Sequence, residues 1–310
     1  MLSRVAENLY WFGRYLQRAE NTARLIMVNG NLLMDLPKSV TFRWQPLVDI
    51  LGAEKTYAEL YPDFSEVNVV KFLLQDQRNP GSVLSSLHQA REILRTTRDA
   101  MPHEAWEKLN ELYWLVEERG ERSVARARRP EFLNRIVEGA LLTYGILVSN
   151  LSRDIGFQFL RIGTNIEQAD MTTRIIDVRS TQLTRRGETA DEFEDLQWMS
   201  VLRSLTAFQM FRRHGGGRLG GVAVLQFLLQ DREFPRSVLF CLGAIQEALR
   251  QLPAARKFER ELDRARALVR DAGVKSLLES EGAALHTLMD EIQVSLARMH
   301  TALAEGYFRT

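Results

Sequence analysis

Apolar residues recur at positions 2, 5, 9, 12, 16, 19, 23 and 26. Alternating steps of three and four place them on one stripe of an α-helix, so the chain opens with a helix over about 2–34. The same reading predicts helices over about 44–53, 66–75, 81–99, 103–126 and 130–149. It then predicts helices over about 152–182, 190–212, 220–231, 236–251, 255–271 and 274–305. Period-two runs of β-branched residues are nearly absent, and glycine and proline fall mostly between the helical segments. Asn79-Pro80 reads as a helix start, with Asn as cap and Pro in the first turn. The expected fold class is all-α.

The pattern repeats. The segment from Leu2 to Val28 reappears as Ser152 to Val178, and Val5, Leu9, Phe12, Leu16, Ala19, Ala23 and Ile26 are matched by Ile155, Phe159, Ile162, Ile166, Ala169, Thr173 and Ile176. Gly13 matches Gly163, Glu20 matches Asp170, Thr22 matches Thr172 and Arg24 matches Arg174. Further on, Phe72-Leu-Leu-Gln-Asp76 recurs as Phe227-Leu-Leu-Gln-Asp231, and Pro80-Gly-Ser-Val-Leu84 as Pro235-Arg-Ser-Val-Leu239. Two ordered matches argue for an internally duplicated helical bundle. The expected halves are 1–150 and 151–310, two similar half-domains packed as one body. A duplicated apolar stripe can bury itself against its own copy, which places the two long helices near a pseudo-two-fold interface.

Opposite the apolar stripe of the first helix gather Glu7, Tyr10, Arg14, Gln17, Arg18, Asn21 and Arg24, with Glu20 at the border. Glu20 and Arg24 are spaced i,i+4 in the favourable acid-first order, whereas Arg14 and Arg18 repel unless an anion sits between them. An ordinary solvated face uses Lys as well as Arg. This one uses only Arg, whose planar fork suits carboxylate or phosphate. A buried salt-bridge network and an anion site both explain the recurrence of the acid–Arg pair as Asp170/Arg174. Glu20 is the one candidate general base. On the helix after Pro80, Ser82 (and Ser237 in the second copy) is expected to cap, and Arg91, Glu92, Arg95 and Arg98 read as a surface ion-pair row. Arg91 and Glu92 join the candidate site if that row faces the first helix. Trp44 and Trp198 read as core anchors, and Trp11, Trp106 and Trp114 as packing residues. The Arg pairs 128–129, 185–186 and 212–213 sit at expected helix ends, where they would stay solvated.

Composition narrows this further. The 310 residues are 45% apolar and 26% charged with net charge +1, so nothing draws the whole chain to nucleic acid or an anionic membrane. The lone cysteine, Cys241, lies in an apolar run and reads as a buried residue. No apolar run long enough for a membrane helix and no signal core are evident, so a cytoplasmic protein is expected. No metal-ligand spacing, nucleophile elbow or dinucleotide fingerprint occurs, and the glycine run 215–217 lacks the Lys-Ser/Thr ending of a phosphate loop. His286/Asp290 and His88/Glu92 are i,i+4 pairs of a kind that helices produce by chance. No metal, cofactor or bound nucleotide is expected.

The opening Met1-Leu-Ser-Arg-Val-Ala-Glu-Asn-Leu-Tyr-Trp-Phe-Gly-Arg-Tyr-Leu-Gln-Arg-Ala-Glu-Asn-Thr-Ala-Arg-Leu25 resembles that of the bacterial alpha-E family, an all-helical domain named for a Glu-Arg motif. The resemblance continues through Phe72–Val83, Ala90-Arg-Glu92 and Trp106, and resumes at Phe159–Gly163 and Phe234–Val238. Where that family has Glu-Arg, this chain reads Gln17-Arg18 and, in the second copy, Glu167-Gln168. The Asn expected after the acid is Asn21 in the first copy and Met171 in the second. The resemblance implies a setting beside circularly permuted ATP-grasp proteins, transglutaminase-like proteins and a proteasome-like peptidase. From it we expect a non-catalytic accessory or substrate-presenting partner of an ATP-grasp peptide or amide ligase. Its anion site would be formed by Arg14, Arg18, Asn21, Arg24, Arg91, Glu92, Asp170 and Arg174. The alternatives are an enzyme of the same peptide-modification pathway, using Glu20 and the Arg14/Arg18/Arg24 face, and a purely structural scaffold.

Overall fold

The opening apolar stripe folds as one long helix, α1 (Ser3–Asp35), on which Leu9, Phe12, Leu16, Ala19, Ala23 and Ile26 are all buried. The computed structural model describes residues 3–35, 44–184, 190–214, 219–253, 256–279 and 283–308. Among them every regular element is helical, so the fold is all-α. Contacts gather into two compact units, one of Asn8–Thr164 and one of Met1–Glu7 with Asn165–Thr310.

The unit Asn8–Thr164 holds most of α1, then α2 (Gln45–Ile50), α3 (Glu54–Leu60), α4 (Glu66–Leu74), α5 (Val83–Thr97), α6 (His103–Arg119), α7 (Arg129–Asn150) and the start of α8 (Ile155–Thr184). Helix α6 packs between α5 and α7. Helix α3 was not expected. It is fixed by an aromatic cluster in which Tyr57 stacks on Phe64 at 4.7 Å and meets Phe72 edge-on at 4.9 Å, so tertiary packing overrides a weak helical pattern. Helix α1 and the first turns of α8 approach to backbone contact. A Cβ on Gly13 would lie 2.6 Å from the Leu160 carbonyl, and one on Gly163 would lie 2.0 Å from the Tyr10 carbonyl. Only glycine permits that approach at either place.

The unit containing Asn165–Thr310 holds the rest of α8, then α9 (Ala190–Ser204), α10 (Phe208–Arg213), α11 (Gly221–Gln230), α12 (Val238–Leu249), α13 (Arg256–Arg270), α14 (Val274–Glu279) and α15 (Ala283–Leu303). Helix α13 packs on both α12 and α15. The single helix expected over 190–212 is broken. Thr206 takes a left-handed φ of 56°, Thr206 N–H donates to Arg203 O at 3.1 Å, and Ala207 N–H donates to Leu202 O at 2.7 Å. That is a Schellman stop built on threonine, without the glycine that would have marked it in the sequence.

The recurring Gln-Asp and Pro-x-Ser-Val elements have concrete structural roles. Gln75, after α4, donates to the Val116 carbonyl in the last turn of α6. Gln230, at the end of α11, donates to the Val269 and Ala272 carbonyls at the end of α13, at 3.0 and 2.9 Å. Gln230 therefore satisfies carbonyls that a helix end leaves without partners, whereas the Val116 carbonyl accepts from both Gln75 and the Gly120 N–H. Asp76 and Asp231 fold back on their own turns, accepting from Arg78 N–H and from Glu233 and Phe234 N–H. Ser82 and Ser237 cap α5 and α12 by accepting from Ser85 N–H and Phe240 N–H, each at 3.1 Å.

Three packing expectations change. Arg129 is buried rather than solvated. It donates to the Val124 carbonyl and to Glu66 Oε1 and stacks 5.5 Å from the Trp44 ring. Trp114 is 45% exposed, whereas Trp44 and Trp198 are the buried anchors expected. Helix α7 is, among the described residues, the one helix long and apolar enough to cross a membrane. Arg135 and Glu138 lie within it, and it packs on α6. Arg212 and Arg213 are exposed at the end of α10, and residues 185–186 and 215–218 lie outside the described residues.

Candidate functional site

The polar face of α1 is not a solvated surface. Tyr10, Glu20 and Asn21 are buried, and Arg14, Gln17, Arg18 and Arg24 are half-buried. At its centre the Glu20 carboxylate, 3% exposed, accepts from both sides. Arg24, one turn on, donates to Oε1 through Nε at 2.8 Å and through a terminal nitrogen, while the Gln17 amide donates to Oε2 at 2.8 Å. The same amide reaches Asn21 Oδ1 at 3.2 Å. The helical spacings 17–20, 17–21 and 20–24 bring these four residues together on one face of α1.

The two remaining arginines of the face lie over aromatic rings. Arg14 sits 5.2 Å from the Trp11 ring and 5.9 Å from that of Tyr10, whose hydroxyl accepts from it at 3.2 Å. Arg18 sits 5.7 Å from Tyr15, and Trp11 stacks on Tyr15 at 5.5 Å. Cation–π attraction thus offsets the repulsion that the i,i+4 spacing of Arg14 and Arg18 creates.

Arg91 and Glu92 belong elsewhere. Arg91 on α5 donates to Asn110 Oδ1 on α6 at 2.8 Å and to Glu92 at 3.1 Å, and lies 5.0–5.6 Å from the rings of Tyr113, Trp114 and Trp106. Arg95 donates to the other Glu92 oxygen at 2.7 Å, and this contact is the main cause that holds the Glu92 carboxyl below its ordinary range. Its neighbours tie α5 to α6, not to α1.

The matched pair on α8 keeps its spacing. Arg174 Nε donates to Asp170 Oδ2 at 2.8 Å, with side chains 31% and 18% exposed. Glu167, which aligns with Gln17, is buried. Cys241 is buried as expected, and burial pushes its thiol up to about 12, which leaves no thiolate for nucleophilic work at neutral pH.

One cluster escaped the sequence reading. His286 Nδ1 on α15 lies 2.7 Å from Asp177 Oδ1 on α8, and His286 Nε2 lies 3.6 Å from Asp290 Oδ2. The i,i+4 half of it was visible; the partner 109 residues away carried no signal.

The opening segment that builds the Glu20 cluster is also where the chain meets a known family. Residues 1–308 match the model of Alpha-E, described as a predicted alpha-helical domain with a conserved ER motif. The chain belongs to the Alpha-E family. Among curated proteins this Alpha-E chain is similar to the uncharacterized protein Mb2597 of Mycobacterium bovis and the uncharacterized proteins Rv2567 and MT2643 of Mycobacterium tuberculosis. Each is 25% identical over an alignment of 323 positions that covers 97% of this chain and 36% of the relative. The Alpha-E chain thus spans little more than a third of the length of these relatives. No solved structure matches it.

Proposed function

We propose that this Alpha-E protein is a non-catalytic accessory chain that works beside an ATP-grasp peptide or amide ligase, holding the ligase or presenting its peptide or amino-acid substrate. The observation that carries the non-catalytic half is the state of Glu20. Both of its oxygens are engaged by Arg24 and Gln17, and the carboxylate is buried. A general base needs a carboxylate that can reach a substrate proton, and this one would first have to give up its bonds to Arg24 or to Gln17. The accessory half rests on the family resemblance. It is supported by the mycobacterial relatives, in which the matched region is only part of a longer chain. In this reading Arg14 and Arg18, set over Tyr10, Trp11 and Tyr15, form the face that meets an anionic group. We also propose that the chain carries two copies of one helical unit. The paired roles of Gln75 and Gln230, and of Ser82 and Ser237, support that reading.

A scaffold without ligand is the second reading, favoured by the burial of the Glu20–Arg24 pair. The test is a pull-down of the tagged protein with a co-encoded ATP-grasp protein, with ATP consumption measured for each alone and for the mixture. Stable association with turnover only in the mixture is expected. Turnover by this chain alone, abolished in Glu20→Gln, would establish the enzyme reading instead. No association and no turnover would leave the scaffold.

A further inference from the structure

We infer that Asp177, His286 and Asp290 form a binding site for one divalent first-row transition-metal ion, of which zinc is the best chemical match. His286 Nε2 and the Asp290 carboxylate are its protein ligands, and Asp177 is the residue that positions the imidazole. The site combines one nitrogen donor with carboxylate oxygens, the mixed set that suits zinc and its neighbours. Calcium and magnesium favour oxygen donors alone.

The geometry assigns the roles. At a tetrahedral ion with bonds of about 2.0–2.2 Å, two ligand atoms lie roughly 3.4 Å apart. His286 Nε2 and Asp290 Oδ2 are 3.6 Å apart, so an ion fits between them with little movement. The i,i+4 spacing on α15 sets that distance, one helical turn separating the two side chains. Asp177, on α8, lies 2.7 Å from the other ring nitrogen. With Nδ1–H donated to that carboxylate, loss of the Nε2 proton on metal binding would leave a lone pair on Nε2 for the ion. This carboxylate–histidine arrangement fixes tautomer and ring orientation at metal sites and raises the basicity of the ligating nitrogen.

Exposure is graded in the sense such a site needs. The Asp177 side chain is 14% exposed and held within the unit, whereas those of His286 and Asp290 are 57% and 59% exposed. The ion would therefore be reached from solvent, with water completing its coordination. Asp290 also lines a groove of about 260 Å³ beside α15, together with Arg264, Thr287, Glu291 and Arg298. The cluster belongs to the unit of Asn165–Thr310 and uses no residue of the α1 face, so the inference stands whether or not the accessory reading holds.

The experiment is calorimetric titration of untagged full-length protein with zinc chloride, repeated with cobalt chloride to read the visible d–d absorption of a bound ion. One ion per chain is expected. His286→Ala should weaken binding at least 100-fold. Asp290→Asn, a change at an exposed side chain, should weaken it at least tenfold, and Asp177→Asn roughly 10- to 100-fold, the range for residues that act through a ligand. Circular dichroism of each variant reports whether the fold is kept, and Asp290→Asn is the variant least able to disturb it. No binding up to millimolar metal, or binding unaffected when Asp177→Asn, His286→Ala and Asp290→Asn are combined, would overturn the site. A fall in melting temperature for His286→Ala without any metal binding would show a helix clamp only. Loss in Asp177→Asn equal to that in His286→Ala would overturn the positioning role.

Discussion

Glu20–Arg24 on α1 and Asp170–Arg174 on α8 have the same acid-first spacing and different surroundings. In the first pair the carboxylate is 3% exposed, takes two bonds from its arginine and a third from Gln17. In the second the carboxylate is 18% exposed and the arginine 31% exposed, and they share the Nε contact at 2.8 Å. Burial, not spacing, separates a weak surface pair from one whose disruption is costly. An i,i+4 pair in water contributes a few tenths of a kcal/mol, while removing one partner of a buried pair strands a charge. Glu20 is followed by Asn21, another buried polar group, whereas Asp170 is followed by Met171.

The sharpest way to break this comparison is to remove the cation from each pair. Arg24→Ala is expected to cost about 3–5 kcal/mol, because it leaves Glu20 buried without its main partner. Arg174→Ala is expected to cost about 1 kcal/mol or less, as for partly exposed pairs. Urea unfolding followed by circular dichroism measures both, and equal losses would refute the ranking. Gln17→Glu probes the same place from the acid side, restoring the residue that the family resemblance expects there. It would put two carboxylates at about the present 2.8 Å separation, which cannot both be ionised without strong repulsion. The folded variant then retains a proton that the unfolded chain gives up near pH 4–5, so its stability should fall as pH rises above about 5. A variant with the parent's pH profile would show that the two carboxylates share no proton.

Next in size is the contact between α1 and α8. Gly163→Ala places a methyl 2.0 Å from the Tyr10 carbonyl oxygen, a backbone atom that cannot rotate away. Overpacking of this kind is expected to cost about 3 kcal/mol. Gly145→Ala on α7 meets nothing within 4 Å and should instead stabilise by about 0.5–1 kcal/mol, the ordinary gain of Ala over Gly inside a helix. Opposite signs at two helical glycines, read as urea midpoints, are the expected result. Gly163 and Gly13 stood out in the sequence only because they matched each other across the repeat.

The turns after α4 and α11 come third. Asp76 is held down to about 2, chiefly by hydrogen bonds from Arg78 and also from Tyr61. A carboxyl depressed in the folded state adds stability that is complete above the unfolded value near 4 and lost as pH falls through about 2. The depression corresponds to about 2 kcal/mol at most. Asp76→Asn should therefore flatten the acid limb of the stability curve between pH 4 and 2. The matched Asp231→Asn should cost less, because an Asn oxygen can accept the same Glu233 and Phe234 N–H groups. An unchanged acid limb in Asp76→Asn would refute the assignment.

How much of this was legible depended on sequence distance. The all-α class, the long first helix and the Ser caps follow from local rules, since periodicity and cap chemistry act within a turn or two. The Glu20 cluster was half legible. Its four residues lie within two turns, but the depth of burial that decides its energetics depends on packing that periodicity does not encode. The stop at Thr206 hid because threonine is not a residue that sequence reading associates with a left-handed cap. Arg129 hid because its partner Glu66 lies 63 positions away, and an arginine at a helix start reads as solvated until a Trp face and a carboxylate are seen around it. His286 hid its second acid for the same reason.

The smallest effect distinguishes the two caps. Ser82 Oγ accepts from Ser85 N–H and donates to the Ser85 hydroxyl, a neighbour that can turn to water instead. Ser237 Oγ accepts from Phe240 N–H and donates to the Asp231 carbonyl, so it joins the start of α12 to the turn before it. Replacing Ser82 by Ala should cost about 1 kcal/mol, the usual loss of a helix cap. Replacing Ser237 by Ala also removes the donor to Asp231 O, and the total should rise to about 2 kcal/mol. The two serines occupy matched places in the repeated element, and local sequence alone would rank them equal. If their losses agree within about 0.3 kcal/mol, the Asp231 contact adds nothing measurable and the two turns are energetic equals despite their different bonds. If Ser237 is the costlier by about 1 kcal/mol, one hydroxyl proton accounts for the gap between the two copies of the cap.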